Sequence, residues 1–313
     1  MLKFTLRRLG TGVILLFTVC TLAYFLLFLG SGTIARSILG ITATKADITR
    51  FNHEHSLDVP FLQSYWKWFS HAIRGDFGMP WSYSQPVMEI VRTRLGVTLT
   101  LVATSLIIAT VFSLLLGVAA AIRGGWIDRF VQFLGLAGFA IPGFLVAFAL
   151  VLLFAVERPW FNAVGWTPPS QDFHEFLKSA VLPIGAIAFG GLASLTQQIR
   201  GAVKDALQND YVRTLRTRGL SYNRVVFKHV LRNAAGPALS ILGLQFVGML
   251  GGIVIIEQIF AIPGMGSFSA QATAQKDIPA VMGIVATMAL IVIVVNLVID
   301  LLSAALNPKV RLS

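Results

Sequence analysis

The stretch Lys204–Pro237, KDALQNDYVRTLRTRGLSYNRVVFKHVLRNAAGP, is the long polar segment in the second half of a very apolar chain. Its pattern is that of two short amphipathic helices joined by a hinge. Val203, Leu207, Tyr211 and Leu215 recur every four residues, which puts them on one helical face. Lys204, Gln208, Arg213 and Arg216 fall largely elsewhere. Gly219 suits the left-handed backbone position that ends a helix, because it carries no Cβ to clash there. Ser221 can cap the helix that follows. In that second helix Tyr222, Val225, Val226 and Val230 form an apolar face, and Arg224, Lys228 and Arg232 recur on the other side. Lying between hydrophobic spans, both helices need a partner for their apolar faces. Two readings meet that need. The pair lies on the membrane surface with its arginines on lipid phosphates, or it is a lever with one face docked on a cytosolic subunit.

Composition supplies the setting. Of the 313 residues, 56% are hydrophobic and only 12% are charged, and the mean hydropathy is +0.76. A soluble domain carries about 25% charged residues, so this chain reads as an all-α polytopic membrane protein. Apolar stretches long enough to span occur at about 9–29, 97–122, 131–156, 181–203, 237–260 and 280–306, giving about six transmembrane helices. The net charge of +11 does not point to nucleic acid, because the basic residues border apolar spans. Lys3, Arg7 and Arg8 precede the first span, and Lys309 and Arg311 follow the last, so both termini are expected in the cytosol. Arg123 and Arg129 then fall in a cytosolic turn. The expected organisation is a cytosolic end and first helix over 1–29, an extracytoplasmic segment over 30–96, a core of about five transmembrane helices over 97–306 containing the cytosolic loop 204–236, and a cytosolic tail over 307–313. The first apolar run is too long for a signal peptide and no Ala-x-Ala site follows, so an uncleaved helix is expected. The lone cysteine, Cys20, excludes an internal disulfide and reads as a small packing residue.

The segment 30–96 is too polar to span. Tyr65, Trp66, Trp68 and Phe69 suit a membrane interface. His53, His55, Glu54, Asp58 and His71 raise the question of a metal, but His-x-His on an irregular segment lacks a defined ligand set, and no metal is expected. Within the spans, Ile141-Pro142-Gly143-Phe144 breaks the third near its middle, as a packing kink or as a lining or gate of a pathway. Gly185, Gly190 and Gly191 in the fourth span, and Gly248, Gly251 and Gly252 in the fifth, are read as sites of close helix approach. Glu257 lies at the outer end of the fifth span, where an ionisable group is expensive. Pro263, Gly264 and Gly266 dictate a turn after it. The chain has no P-loop, no nucleophile elbow, no His-Glu-x-x-His and no dinucleotide fingerprint, and no catalytic groups converge in it, so it is not read as an enzyme. A secondary transporter would place coupling carboxylates or histidines inside its spans, which are nearly free of them.

The wording of the polar stretch narrows the field. Asp210-Tyr-Val-Arg-Thr-Leu-Arg-Thr-Arg-Gly219-Leu220, followed by His229-Val-Leu-Arg-Asn233 and Pro237, resembles the coupling loop of ABC importer permeases, most of all the dipeptide/oligopeptide/nickel permease family. That loop has a general Glu-Ala-Ala, three residues, Gly pattern; here Arg213-Thr214-Leu215 stands for Glu-Ala-Ala and Gly219 is kept. Ile255-Ile-Glu-Gln-Ile-Phe-Ala-Ile-Pro-Gly-Met-Gly266 and Lys276-Asp277-Ile278-Pro279 resemble two further family segments, with Lys276 in place of an Arg. Ser56-Leu-Asp-Val-Pro60 and Gly75-Asp-Phe-Gly78 match the outer segment, whereas Leu29–Arg36 departs from the family's usual turn there. Asp300 and Asn307-Pro308-Lys309 close the match.

The resemblance implies a type I ABC importer permease-like fold in the cell's inner membrane. It implies a sister permease, two ATP-binding subunits that hold the ATP and Mg, and an extracytoplasmic solute-binding protein. Peptides are the implied cargo, with nickel or another small solute as the alternative. It assigns coupling to Asp210, Tyr211, Arg213, Thr214, Leu215, Arg216, Arg218, Gly219 and Leu220. A pathway or gate is expected at Pro142, Phe144, Gly248, Gly252 and Glu257. Contact with the binding protein is expected at Pro263, Gly264, Met265, Lys276 and Asp277.

Overall fold

A computed structural model describes residues 2–30, 33–40 and 42–306, and among them the regular elements are helices. The C-terminal segment 307–313, with Lys309 and Arg311, and Ser31 and Gly32 of the first turn lie outside the described residues. Among the described residues, five helices are long and apolar enough to cross a membrane. They are α1 (Leu2–Leu29), α5 (Val87–Arg123), α8 (Phe173–Gln208), α11 (Leu231–Ile259) and α13 (Ile278–Leu306). The pair α6 (Gly125–Ala140) and α7 (Gly143–Val151), the latter continued by a π-helical turn to Val156, makes a sixth span if taken together, bent by 95° at Ile141-Pro142. Proline explains the break. Ile141 is extended, at φ −92° and ψ 115°, as the residue before a proline prefers, and Pro142 heads the next helix.

The short helices are α2 (Ile34–Leu39), α3 (Lys45–Glu54), α4 (Phe61–Ala72), α9 (Asp210–Thr217), α10 (Tyr222–Val225) and α12 (Met265–Ala274). Several spans start earlier than hydropathy alone indicates. Polar first turns such as Glu89-Ile-Val-Arg92 and His174-Glu175 are wound into the helix, the latter under an N-cap from Asp172.

Residue contacts divide the chain into two compact units, 1–5 with 99–262 and 295–313, and 6–98 with 263–294. In the first, α8 is the hub, packed on α6, α7 and α11. Hydroxyls fasten it to α5: Ser105 Oγ donates to Ile184 O at 3.2 Å, and Ser113 Oγ to Leu192 O at 3.1 Å. These bonds satisfy polar atoms that would otherwise be stranded among apolar side chains.

The second unit takes in α2, α3, α4 and α12 with parts of α1, α5 and α13. Tyr24 sits in a ring cluster with Phe61, Tyr65 and Trp68, and its hydroxyl meets Ser64 Oγ at 2.6 Å. Buried Met265 and Phe268 of α12 pack with Val87, Ile90 and Val91 of α5. A capping box of Thr44 and Asp47 starts α3.

Candidate functional site

The polar stretch folds differently from two separate short helices. α8 continues to Gln208, Asn209 alone is extended at φ −67° and ψ 145°, and α9 begins at Asp210. The periodicity of Val203, Leu207, Tyr211 and Leu215 therefore runs across a break. Asn209 has a short amide side chain that does not favour helix interiors, which is why the break falls there. The second helix is the start of a span: α10 winds through a π-helical turn at Val226–Val230 directly into α11. Ser221 takes the backbone of an N-cap without a side-chain capping bond. Gly219 does what its sequence position asks, with φ +81° after Gly219 N bonds to Arg216 O at 3.0 Å.

Of the expected coupling residues, Asp210, Arg213, Thr214, Arg216, Arg218 and Gly219 are exposed. Tyr211, Leu215 and Leu220 are half-buried, and the buried anchor of α9 is Val212. Tyr211 OH accepts from Asn233 Nδ2 at 3.4 Å, and the Arg216 guanidinium stands 5.7 Å from the centre of the Tyr222 ring. Val225, Val226 and Val230 are buried as their pattern predicts, while Tyr222 stays exposed. The result is a short helix held down by one apolar edge, with a charged face turned outward.

A second feature lies within the helices of the first unit. Gly143 and Phe144 of α7, Gly190 of α8, and Gln245, Gly248 and Gly252 of α11 line a cavity of about 220 Å³. Phe144, Gly248 and Gly252 are thus brought together. Pro142 lies one residue from the lining, and Glu257, fully buried near the end of α11, is outside it. The glycines serve another purpose than close packing alone. A Cβ on Gly191 would run into Met249, but at Gly143, Gly190, Gly248, Gly251 and Gly252 no atom lies within 4 Å of that position. Those five keep a surface bare. Gln245 supplies an amide to the wall, a polar residue in a span whose signal the glycines overshadow.

The outer turn is held from beneath. Met265 and Asp277 are completely buried, Gly264 is buried, Lys276 is half-buried and Pro263 is exposed. Asp277 Oδ2 accepts from Trp81 N at 2.6 Å and Ser82 N at 3.0 Å, and Oδ1 from Ala280 N at 3.1 Å. Burial pushes its carboxyl above the ordinary range, against those three bonds and nearby His55. Lys276 Nζ donates to Thr33 Oγ1 at 2.7 Å. The outer histidines are spoken for by neighbours: His53 Nδ1 meets Asp58 Oδ2 at 3.0 Å, His55 packs on the Phe51 and Trp81 rings, and His71 Nδ1 donates to Lys67 O at 2.8 Å. Among the described residues no three His, Cys, Asp or Glu side chains are grouped to hold a metal ion.

Comparison with known proteins accords with this architecture. Residues 113–312 match the family model of the binding-protein-dependent transport system inner membrane component, and residues 1–102 match that of its N-terminal part. The chain is similar to the glutathione transport system permease protein GsiC of Escherichia coli K12, with 34% identity over 99% of both chains. The same protein of Salmonella paratyphi A is 35% identical, again over 99% of each. A solved inward-facing structure of the MetNI methionine ABC transporter shares the fold, with a TM-score of 0.57 at 16% identity, covering 72% of this chain and 100% of that one. The chain belongs to the binding-protein-dependent transport system inner membrane components, and is a multi-pass inner-membrane permease subunit of an ABC importer that works with an ATP-binding subunit and a binding protein.

Proposed function

We propose that this chain forms one half of a peptide translocation pathway, paired with a sister permease above two ATP-binding subunits that carry the ATP and Mg. The full-length likeness to permeases of a glutathione transport system carries the cargo reading, since glutathione is a small peptide. α9 is the coupling helix: its outward face offers Asp210, Arg213, Thr214 and Arg216, and Gly219 sets the turn behind it. The bare cavity of Phe144, Gly248 and Gly252 is a stretch of the pathway, with Pro142 as its hinge and Glu257 as part of the gate. Pro263 and Lys276 present the outer turn to the binding protein, on a base made by Gly264, Met265 and Asp277. Closure of the ATP-binding subunits moves α9, and the helices alternate between inward-open and outward-open states.

The test is uptake of labelled di- and tripeptides into proteoliposomes holding the assembled transporter, with binding protein and ATP. Peptide uptake that requires ATP, and is competed by unlabelled glutathione, is expected. In Gly219→Val the left-handed backbone becomes costly for a β-branched residue, so ATP hydrolysis should continue while uptake is lost. Normal coupled uptake in Gly219→Val would remove the coupling role from this turn.

A further inference from the structure

The N-terminal turn of α6 is tied to the last third of α8 by charge. Arg200 grips Asp128 with two nitrogens: Nε on Oδ1, and Nη2 on Oδ2 at 2.9 Å. Lys204 Nζ donates to the same Oδ2 at 2.9 Å, and Gln132 Nε2 at 3.2 Å. The Asp128 and Arg200 side chains are only 14% and 18% exposed, so the pair is largely withdrawn from solvent. Removing the carboxylate would leave two cations side by side.

Below this clasp the two helices stay in register. Gln197 Nε2 donates to Val131 O at 3.0 Å. A Cβ on Gly135 would run into Gln197, and one on Gly138 into Ala193. Positions 128, 131, 135 and 138 descend one face of α6 while 204, 200, 197 and 193 ascend α8, the spacing of a single helical stripe. The seam ends where Gly143 and Phe144 meet Gly190 around the cavity. At its other end, α8 stops at Gln208, about one turn beyond Lys204, and Asn209 alone separates it from α9.

We propose that Asp128 is a positioning residue for transport. By holding Arg200 and Lys204 it makes α6 move with α8 when α9 is pushed, so the displacement reaches the Pro142 bend and the cavity. This rests on the reading of α9 as the coupling helix. Without the clasp, the end of α8 moves and α6 lags, and ATP is hydrolysed without transport.

The experiment uses the assembled transporter in proteoliposomes. In Asp128→Asn, peptide uptake should fall about tenfold with ATPase activity changed by less than about twofold, the scale of a site-to-site coupling free energy. A second chain carries Asp128→Cys and Lys204→Cys with Cys20→Ala. Its uptake should be low, and bridging the two thiols with a short bis-maleimide should restore it, because a covalent tie replaces the ionic one. Unchanged uptake in Asp128→Asn, or a bridged chain that stays inactive, overturns the proposal. So does loss of assembly in Asp128→Asn, which would give the residue a folding role. Gly219→Val is run alongside: if α9 is not the coupling helix, that variant transports normally, a failure separate from any result at Asp128.

Discussion

Asp277 shows how one carboxylate can define a turn. Its oxygens collect three backbone N–H groups, two from Trp81 and Ser82 and one from Ala280. Charge-assisted bonds of this kind contribute about 1.5–3 kcal/mol each before the cost of burying the charge is subtracted. Burial has the upper hand, so the folded carboxyl titrates above its unfolded value. The folded state therefore binds the proton more tightly. The contribution of Asp277 to stability is fully present below the unfolded value and is lost as pH rises through the folded one. Asparagine does not titrate. The difference in thermal midpoint between the native chain and Asp277→Asn should thus shift in favour of the native chain as pH falls from neutrality toward the ordinary carboxylate range. His55, whose pKa burial lowers, loses the raising influence of the Asp277 charge in Asp277→Asn, is lowered further there, and adds to the shift in the same direction. Unfolding scans in detergent across that range make the measurement, and a difference that shrinks on acidification would contradict the assigned direction.

At the scale of the element, glycines that look alike in sequence divide into two kinds. A Cβ on Gly117 of α5 would stand 3.0 Å from Thr196 O and 3.2 Å from Arg200 N, backbone atoms that cannot rotate away. Gly117→Ala should therefore cost about 1–3 kcal/mol, the range of an overpacked contact. Gly248→Ala meets nothing within 4 Å, and should leave the thermal midpoint of the purified chain unchanged or slightly raised, since alanine favours helix by about 1 kcal/mol. Equal losses at both positions would mean that the bare face is packed after all. Hydropathy makes the spans legible, and Pro142 makes the broken one legible, because both signals are local. The break at Asn209 was hidden because the apolar period from Val203 to Leu215 runs straight through it. The partner of the outer segment was hidden for another reason: Trp81 and Asp277 lie 196 residues apart, and no periodic pattern records such a contact. The same holds for Asp128 and Arg200, 72 residues apart, although an acid near the start of an apolar span is itself a signal that a partner exists.

For the whole molecule, the bent pair α6–α7 decides on which side of the membrane α9 works. Start α1 from the cytosol, as Lys3, Arg7 and Arg8 require. If the bent pair crosses, α4 lies outside and α9 inside. If it dips and returns, α8 runs outward and α9 emerges on the same side as α4. The basic residues around α9, from Arg213 to Arg232, favour the crossing. Two chains test it, Lys67→Cys and Arg216→Cys, each with Cys20→Ala; both positions are exposed. A membrane-impermeant maleimide should label position 67 in intact cells and position 216 only after permeabilisation. Labelling of both from outside would make the pair re-entrant and would put α9 out of reach of any cytosolic ATP-binding subunit.

The π-helical turn at Val226–Val230 bears on how such a chain tolerates changes in length. In a π turn each N–H reaches back five residues instead of four, so one surplus residue is wound into the helix without ending it. The segment between the polar loop and the fifth span therefore holds one residue more than a plain α-helical turn would, as a local widening. A chain lacking one residue there would wind as plain α-helix, and the valines before and the leucines after would keep the faces they have. Genetic drift in the length of this loop can be taken up within a single turn, with the spans on either side left undisturbed.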